Sequence, residues 1–89
     1  MEFKGSKGEW VKKVKKDSVF ISIKDSTSTV REIAQVLDYG IFNPEESAAN
    51  ERLLTNSKKL LQHCIDLLKS KDPETEEKKL ESFIKEHIL

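Results

Sequence analysis

Two arginines and a lysine-rich first third are the parts of this chain best suited to bind an anion. Arg31 and Arg52 are the only arginines, and a planar guanidinium fits a phosphate better than the point charge of a lysine does. For Arg31, a phosphate contact and a structural role are equally good interpretations. Arg52 is better explained by a pair with an acid such as Glu45 on the solvent face of a helix. Both are nevertheless candidate ligand-binding residues.

Charge is unevenly distributed along the chain, although the net charge is zero. Residues 1–31 carry eight Lys and Arg against four Asp and Glu, giving +4, and residues 32–89 carry eight against twelve, giving −4. A basic first third would attract anions such as phosphates. The alternative is that its lysines only protect exposed strand edges from aggregation.

Trp10 lies beside a cluster of lysines in the first predicted strand, where lysine pairs flank Val14. An aromatic ring among lysines can bind a ligand by stacking and by charge, so Trp10, Lys13 and Lys15 are further ligand-binding candidates. Single-stranded nucleic acid is the weakest hypothesis for this patch. It holds one aromatic residue, strand alternation sends adjacent lysines to opposite faces, and the whole chain is neutral.

Asn50 is an amide set into an apolar helical stripe. It shares a helical face with Leu54, Ser57 and Leu61, so we expect its side chain to point inward. An unpaired buried amide costs about 1–3 kcal/mol, so Asn50 needs partners. It either ties the first turns of the helix to the backbone of a strand, or contacts a ligand near the helix start, where free amides favour phosphate.

Catalysis has no support in the sequence. No nucleophile–base pair, phosphate-cradling glycine loop or metal triad can be assembled, and the chain has three glycines. Two histidines and one cysteine, far apart in sequence, argue against structural zinc. We therefore expect no catalytic residue, no metal and no cofactor. The lone Cys64, the lack of a signal-peptide pattern and the lack of a long apolar run predict a cytoplasmic protein with no membrane contact.

The elements that must position these residues begin with strands. Eighty-nine residues predict one domain, with a loose lead-in over 1–8, a β-meander over 9–37 and a helical part over 44–88. Val19–Ile23 has the clearest strand pattern. The segment 29–37 fits either helical spacing or a strand. We interpret it as a strand because a two-stranded sheet is marginal and a third strand completes a meander.

Two helices are predicted after the strands. Asn43 can cap a helix that has Pro44 in its first position and Glu46 three residues after the cap, and the apolar stripe extends it to about Lys69. Asp72 and Pro73 repeat this start for a shorter helix to about residue 88. The predicted fold is α+β, a three-stranded antiparallel β-meander followed by a long and a shorter helix. Apolar surface is left over, so we expect a homo-oligomer.

Several short motifs resemble those of a broad group of small phage accessory proteins. They are Glu9-Trp10-Val11, the strand segment 33–36 (Ile-Ala-Gln-Val), the helix motif 49–54 (Ala-Asn-Glu-Arg-Leu-Leu) and Leu60-Leu61, within residues 9–68. In this architecture the group is similar to the phage anti-Thoeris sponges that sequester cyclic ADP-ribose isomers. The chain departs from the group at two places. Glu51 replaces the small residue that usually follows the asparagine, and segment 55–58 is more polar than the apolar or alanine-rich run that is usual in the group.

The resemblance implies a non-catalytic phage or prophage protein that sequesters a small anionic signalling nucleotide, a cyclic ADP-ribose isomer or a cyclic oligonucleotide. Such a protein would block anti-phage immunity in the cytoplasm of an infected bacterium, with the ligand held between subunits of an oligomer. The second hypothesis is an inhibitor or scaffold whose helical face binds a host protein.

Overall fold

The computed structural model describes residues 1–16, 18–24, 32–36 and 43–89. Its elements, in chain order, are β1 (Trp10–Lys15), β2 (Ser18–Ile23), β3 (Glu32–Val36), α1 (Pro44–Lys69) and α2 (Pro73–His87). The predicted α+β arrangement is confirmed, with a three-stranded antiparallel sheet followed by a long and a shorter helix. Arg31, a predicted ligand-binding residue, lies outside the described residues, as do positions 29, 30 and 37 of the predicted third strand.

The sheet is a meander in which β2 is the central strand. β1 pairs with β2 from Trp10 opposite Ile23 to Lys15 opposite Ser18. The ambiguous segment forms β3, whose register with β2 shifts between Ile21 and Ser22. Such a bulge adds an unpaired residue and increases the local twist.

The two faces of the sheet carry different side chains. Directly opposed residues in an antiparallel pair lie on the same face, and neighbours along a strand lie on opposite faces. Trp10 and Lys12 therefore share a face with Ile21, which is only 2 % exposed. Lys13 and Lys15 lie on the other face. The side chain of Ile21, at the middle of the central strand, is the centre of the sheet's core.

Both helices begin at the side-chain caps that the sequence predicts. The Asn43 side chain accepts a hydrogen bond from the Glu46 backbone N–H at 3.0 Å, and α1 then runs for 26 residues. The Asp72 carboxylate accepts from the Thr75 backbone N–H at 3.4 Å and from the Thr75 hydroxyl at 2.6 Å. These bonds, the hydroxyl above all, hold the pKa of Asp72 below its ordinary value.

α1 packs against α2 and β1. Asn56 and Arg52 donate to the backbone carbonyls of His87 and Ile88, at 3.1 and 3.2 Å. The end of α2 is thereby tied to the first half of α1, as expected for two antiparallel helices joined by a short loop. None of the helices in the described part of the chain is both long and apolar enough to cross a membrane.

Part of the predicted apolar stripe of α1 faces solvent. Ile65 is buried, whereas four leucines of the stripe remain exposed: Leu53, Leu54, Leu61 and Leu68. Asn50 is exposed with them, so the expectation that it points inward is wrong. The stripe is wider than the surfaces that α2 and β1 cover, and Asn50 lies on the uncovered part.

Candidate ligand-binding groove

A groove runs between β1 and α1, and we call it the β1–α1 groove. Its larger part, about 410 Å³, is lined by Phe3, Gly8, Glu9 and Trp10 on one side and by Thr55, Lys58, Lys59 and Gln62 of α1 on the other. Its smaller part, about 220 Å³, is lined by Lys12, Ala48, Glu51, Arg52, Thr55 and Asn56. The two parts meet at Thr55, so together they follow about four turns of α1.

The N-terminal segment forms one wall of the groove. The ammonium group of Lys58 donates hydrogen bonds to the carbonyls of Ser6 and Gly8, at 2.9 and 2.6 Å. The indole Nε1 of Trp10 donates to the same Ser6 carbonyl at 3.3 Å. The Phe3 ring meets the Trp10 ring edge-on, with centroids 5.9 Å apart and planes at 72°. The segment predicted as a loose lead-in thus contacts both β1 and α1.

Gly8 has a backbone conformation that this wall requires. Its φ of +95° is a value that residues with a side chain rarely adopt. A Cβ at this position would also lie 3.0 Å from Cγ2 of Ile23. Any larger residue would therefore strain the backbone at the carbonyl that Lys58 binds.

Two ion pairs cross the groove to α1, one from the residue before β1 and one from β1 itself. Glu9, just before β1, accepts from Lys59 of α1 at 2.8 Å, and Lys24 lies 3.4 Å from the same carboxylate. The hydrogen bond from Lys59, and then that from Lys24, lowers the pKa of Glu9. Farther along, Lys12 pairs with Glu51 at 3.2 Å.

The groove has an excess of positive charge. Among its lining residues, four are cationic and two are acidic: Lys12, Arg52, Lys58 and Lys59 against Glu9 and Glu51. A bound anion can compete with the two carboxylates for Lys12 and Lys59, because both ion pairs are partly exposed to solvent. The groove combines an aromatic wall with exchangeable cations, a chemistry suited to a flat, negatively charged ligand.

Two of the predicted ligand-binding residues line this groove. Trp10 is half-buried in its larger part, and Arg52 lines its smaller part. The Nε of Arg52 donates to the carbonyl of Ile88, so the end of α2 positions this side chain. The sequence suggested an acid on the solvent face as its partner.

The other predicted residues lie elsewhere. Lys13 and Lys15 are on the sheet face opposite Trp10, because they occupy the alternate positions of β1. Lys15 forms an ion pair with Glu32 of β3 and lies 5.7 Å from the centroid of the Phe20 ring. Asn50 lies among the exposed leucines of α1. Arg31 is outside the described residues, so its predicted role stays a prediction.

Sequence reasoning missed three residues that build the groove, namely Phe3, Lys58 and Lys59. Phe3 was assigned to a loose segment, and the two lysines were given no role. Lys58 binds residues 50 and 52 positions earlier in the chain, and Lys59 binds one 50 positions earlier. No local pattern indicates such contacts. The one available signal was the +4 charge of residues 1–31, which indicates a positive surface but not its contacts with α1.

No protein-family model matches the chain, and searches of curated proteins and of solved structures return no match either. The β1–α1 groove is therefore interpreted from its own geometry. Within the described ranges, no three His, Cys, Asp or Glu side chains are grouped so that they could hold a metal ion.

Proposed function

We propose that this chain is a non-catalytic binding protein that holds a small anionic signalling nucleotide in the β1–α1 groove. The observation that carries the proposal is the half-buried Trp10 ring in a cavity of about 410 Å³ with Lys58 and Lys59 at its edge. A nucleobase is flat and can stack on an indole ring, while its phosphates need cations. The groove offers both, with the indole on β1 and the two lysines on α1.

The size of the groove fits a ligand of this class. Small-molecule sites occupy about 300–1,000 Å³, and the larger part alone falls in this range. A base stacked on Trp10 would contribute on the order of 1–3 kcal/mol. The phosphates would then extend toward the smaller part, where Arg52 and Lys12 supply charge and the planar guanidinium can form paired hydrogen bonds.

The biological setting of the proposal comes from the resemblance to phage accessory proteins. In that setting the ligand is a cyclic ADP-ribose isomer or a cyclic oligonucleotide made by an infected bacterium. Binding alone is sufficient: a protein present in excess over the messenger lowers its free concentration by mass action, so the host effector is never activated. No bond needs to be made or broken.

Calorimetric titration against cyclic ADP-ribose isomers and cyclic di- and trinucleotides is the direct test. Trp10 is the only tryptophan, so quenching of its fluorescence reports occupancy of the groove independently. We expect one ligand per chain, with Trp10→Leu reducing the affinity at least about tenfold if stacking contributes more than about 1.4 kcal/mol.

Two lysine variants form a matched pair for this test. Lys59→Gln and Lys15→Gln each remove one cation that pairs with a glutamate, Glu9 and Glu32 respectively, but only Lys59 lines the groove. We expect Lys59→Gln to weaken binding and Lys15→Gln to leave it unchanged. Equal losses in the two variants would mean that binding depends on overall charge and not on the groove, and a loss confined to Lys15→Gln would move the site to the other sheet face. A folded protein that binds no member of the panel would refute the proposal.

A further inference from the structure

Three leucines on α1 form an exposed row with a spacing of seven residues. Leu54, Leu61 and Leu68 are 45 %, 40 % and 70 % exposed. A seven-residue spacing keeps side chains on nearly the same side of a helix. We call Leu54, Leu61, Leu68 and the smaller residues that alternate with them on this side (Asn50, Ser57, Cys64) the leucine seam.

The leucine seam lies on a side of α1 that neither neighbouring element uses. Contacts with α2 come from Asn56 and His63, and contacts with β1 and the segment before it come from Glu51, Lys58 and Lys59. At 100° per residue, Leu61 is about 160° from His63, about 80° from Glu51 and about 60° from Lys58 around the helix axis. A second helix can therefore approach the seam without displacing α2 or the sheet.

We propose that the leucine seam binds the same seam of a second copy of this chain, with the two α1 helices antiparallel. The seam alternates a leucine with a smaller residue, so it is complementary to itself. One register places Leu54 opposite Cys64, Leu61 opposite Ser57 and Leu68 opposite Asn50 of the partner subunit. Two-fold symmetry makes each of these contacts occur twice, and every leucine then inserts beside a smaller side chain.

Charge selects the antiparallel orientation. The first turn of α1 carries Glu45 and Glu46, and its last turn carries Lys69, followed by Lys71. In the proposed register, the lysines at the end of one α1 lie within about a turn of the glutamates at the start of the other. A parallel pair would place like charges side by side. The same complementarity favours a second copy as the occupant of this surface.

The proposed interface lies beside the β1–α1 groove and uses none of its lining residues. Arg52 and Lys59 of the groove are about 160° from Leu54 and Leu61, respectively, around the helix axis, and Lys58 is about 60° from Leu61. Dimerisation through the leucine seam would leave one open groove on each subunit. Failure of either proposal therefore leaves the other untouched.

Sedimentation equilibrium of the 89-residue chain, from micromolar to high micromolar concentration, tests the association. Leu61→Glu should weaken it at least about thirtyfold, because the contact occurs twice and each copy loses apolar burial. Leu89→Glu is the matched control, since Leu89 is 81 % exposed and lies off the seam. If the chain stays monomeric throughout this concentration range, the proposal is overturned. That outcome includes the case in which the seam binds a different protein. An equal loss in both variants would also overturn the proposal.

Cysteine crosslinking tests the orientation, because Cys64 is the only cysteine. In the antiparallel register the two Cys64 residues are about ten residues apart along the axis, roughly 15 Å, which is too far for a disulfide. Oxidation should leave the unmodified chain uncrosslinked and link the subunits of Leu54→Cys, as seen on a non-reducing gel. The double variant with Leu54→Cys and Cys64→Ser should not crosslink. Crosslinking of the unmodified chain would indicate a parallel pair, and a dimer in which Leu54→Cys fails to crosslink would exclude this register.

Discussion

Lys58 fixes the N-terminal wall of the β1–α1 groove, so replacing it should open that wall while the rest of the fold persists. Its ammonium group donates hydrogen bonds to two backbone carbonyls of the segment before β1, those of Ser6 and Gly8. In Lys58→Met the apolar stem stays and both hydrogen bonds are lost. We expect the segment before β1 to detach, and Trp10 to become exposed.

The magnitude follows from the surroundings of these bonds. A hydrogen bond to a charged group contributes about 1.5–3 kcal/mol when its partner would otherwise be buried and unpaired. Both bonds of Lys58 are exposed to solvent, so water can replace the ammonium group at each carbonyl. We therefore expect Lys58→Met to lower the free energy of unfolding by about 1–2 kcal/mol in total.

Lys59→Met is the matched control, because Lys59 binds the side chain of Glu9 and no backbone carbonyl. An exposed ion pair is screened by solvent and contributes little to stability, so this variant should keep both its stability and its half-buried indole. Urea denaturation followed by circular dichroism measures the first quantity, and acrylamide quenching of Trp10 measures the second. If quenching is unchanged in Lys58→Met, or rises equally in the two variants, Lys58 does not hold the wall.

Two further predictions concern the core and the ion pair at Glu9. Ile21→Ala should lower the free energy of unfolding by about 2–5 kcal/mol, because it leaves a cavity in the core. Val14→Ala, at an exposed position, should change the free energy of unfolding by less than about 0.5 kcal/mol. Similar urea midpoints for the two variants would contradict the assignment of the core. Lys59 lowers the pKa of Glu9, so the stabilisation from this pair is complete above the ordinary value of 4.5 and is lost as the pH falls through the lowered pKa. An NMR titration of the Glu9 carboxyl should show its pKa rising toward 4.5 in Lys59→Met, and no change would mean that the pair does not form in solution.

Most of the fold was predictable because its signals are local. Asn43 with Pro44, and Asp72 with Pro73, indicate both helix starts, and both caps form as expected. Segment 29–37 was the difficult case, since its spacing fits a helix as well as a strand. We chose a strand because a two-stranded sheet would be marginal, and this choice is confirmed: β3 occupies Glu32–Val36.

The candidate site was only partly predictable. Trp10 and Arg52 were identified from residue type, and alternation along the strand separates Trp10 from Lys13 and Lys15. Alternation along β1 places residues on two faces without indicating which face α1 covers. For the same reason, the width of the apolar stripe could not reveal that Asn50 lies on its uncovered side.

The groove differs in one respect from what the resemblance implies, and the difference bears on mechanism. The resemblance implies a ligand held between subunits, whereas the groove proposed here lies within one subunit, between α1 on one side and β1 with the segment before it on the other. The leucine seam lies on another side of α1, so pairing the seams adds no residue to the groove. If both proposals hold, ligand binding needs no assembly, and the affinity for the ligand should not vary with protein concentration. Dimerisation would instead stabilise the fold, by covering leucines that an 89-residue chain is too small to bury alone.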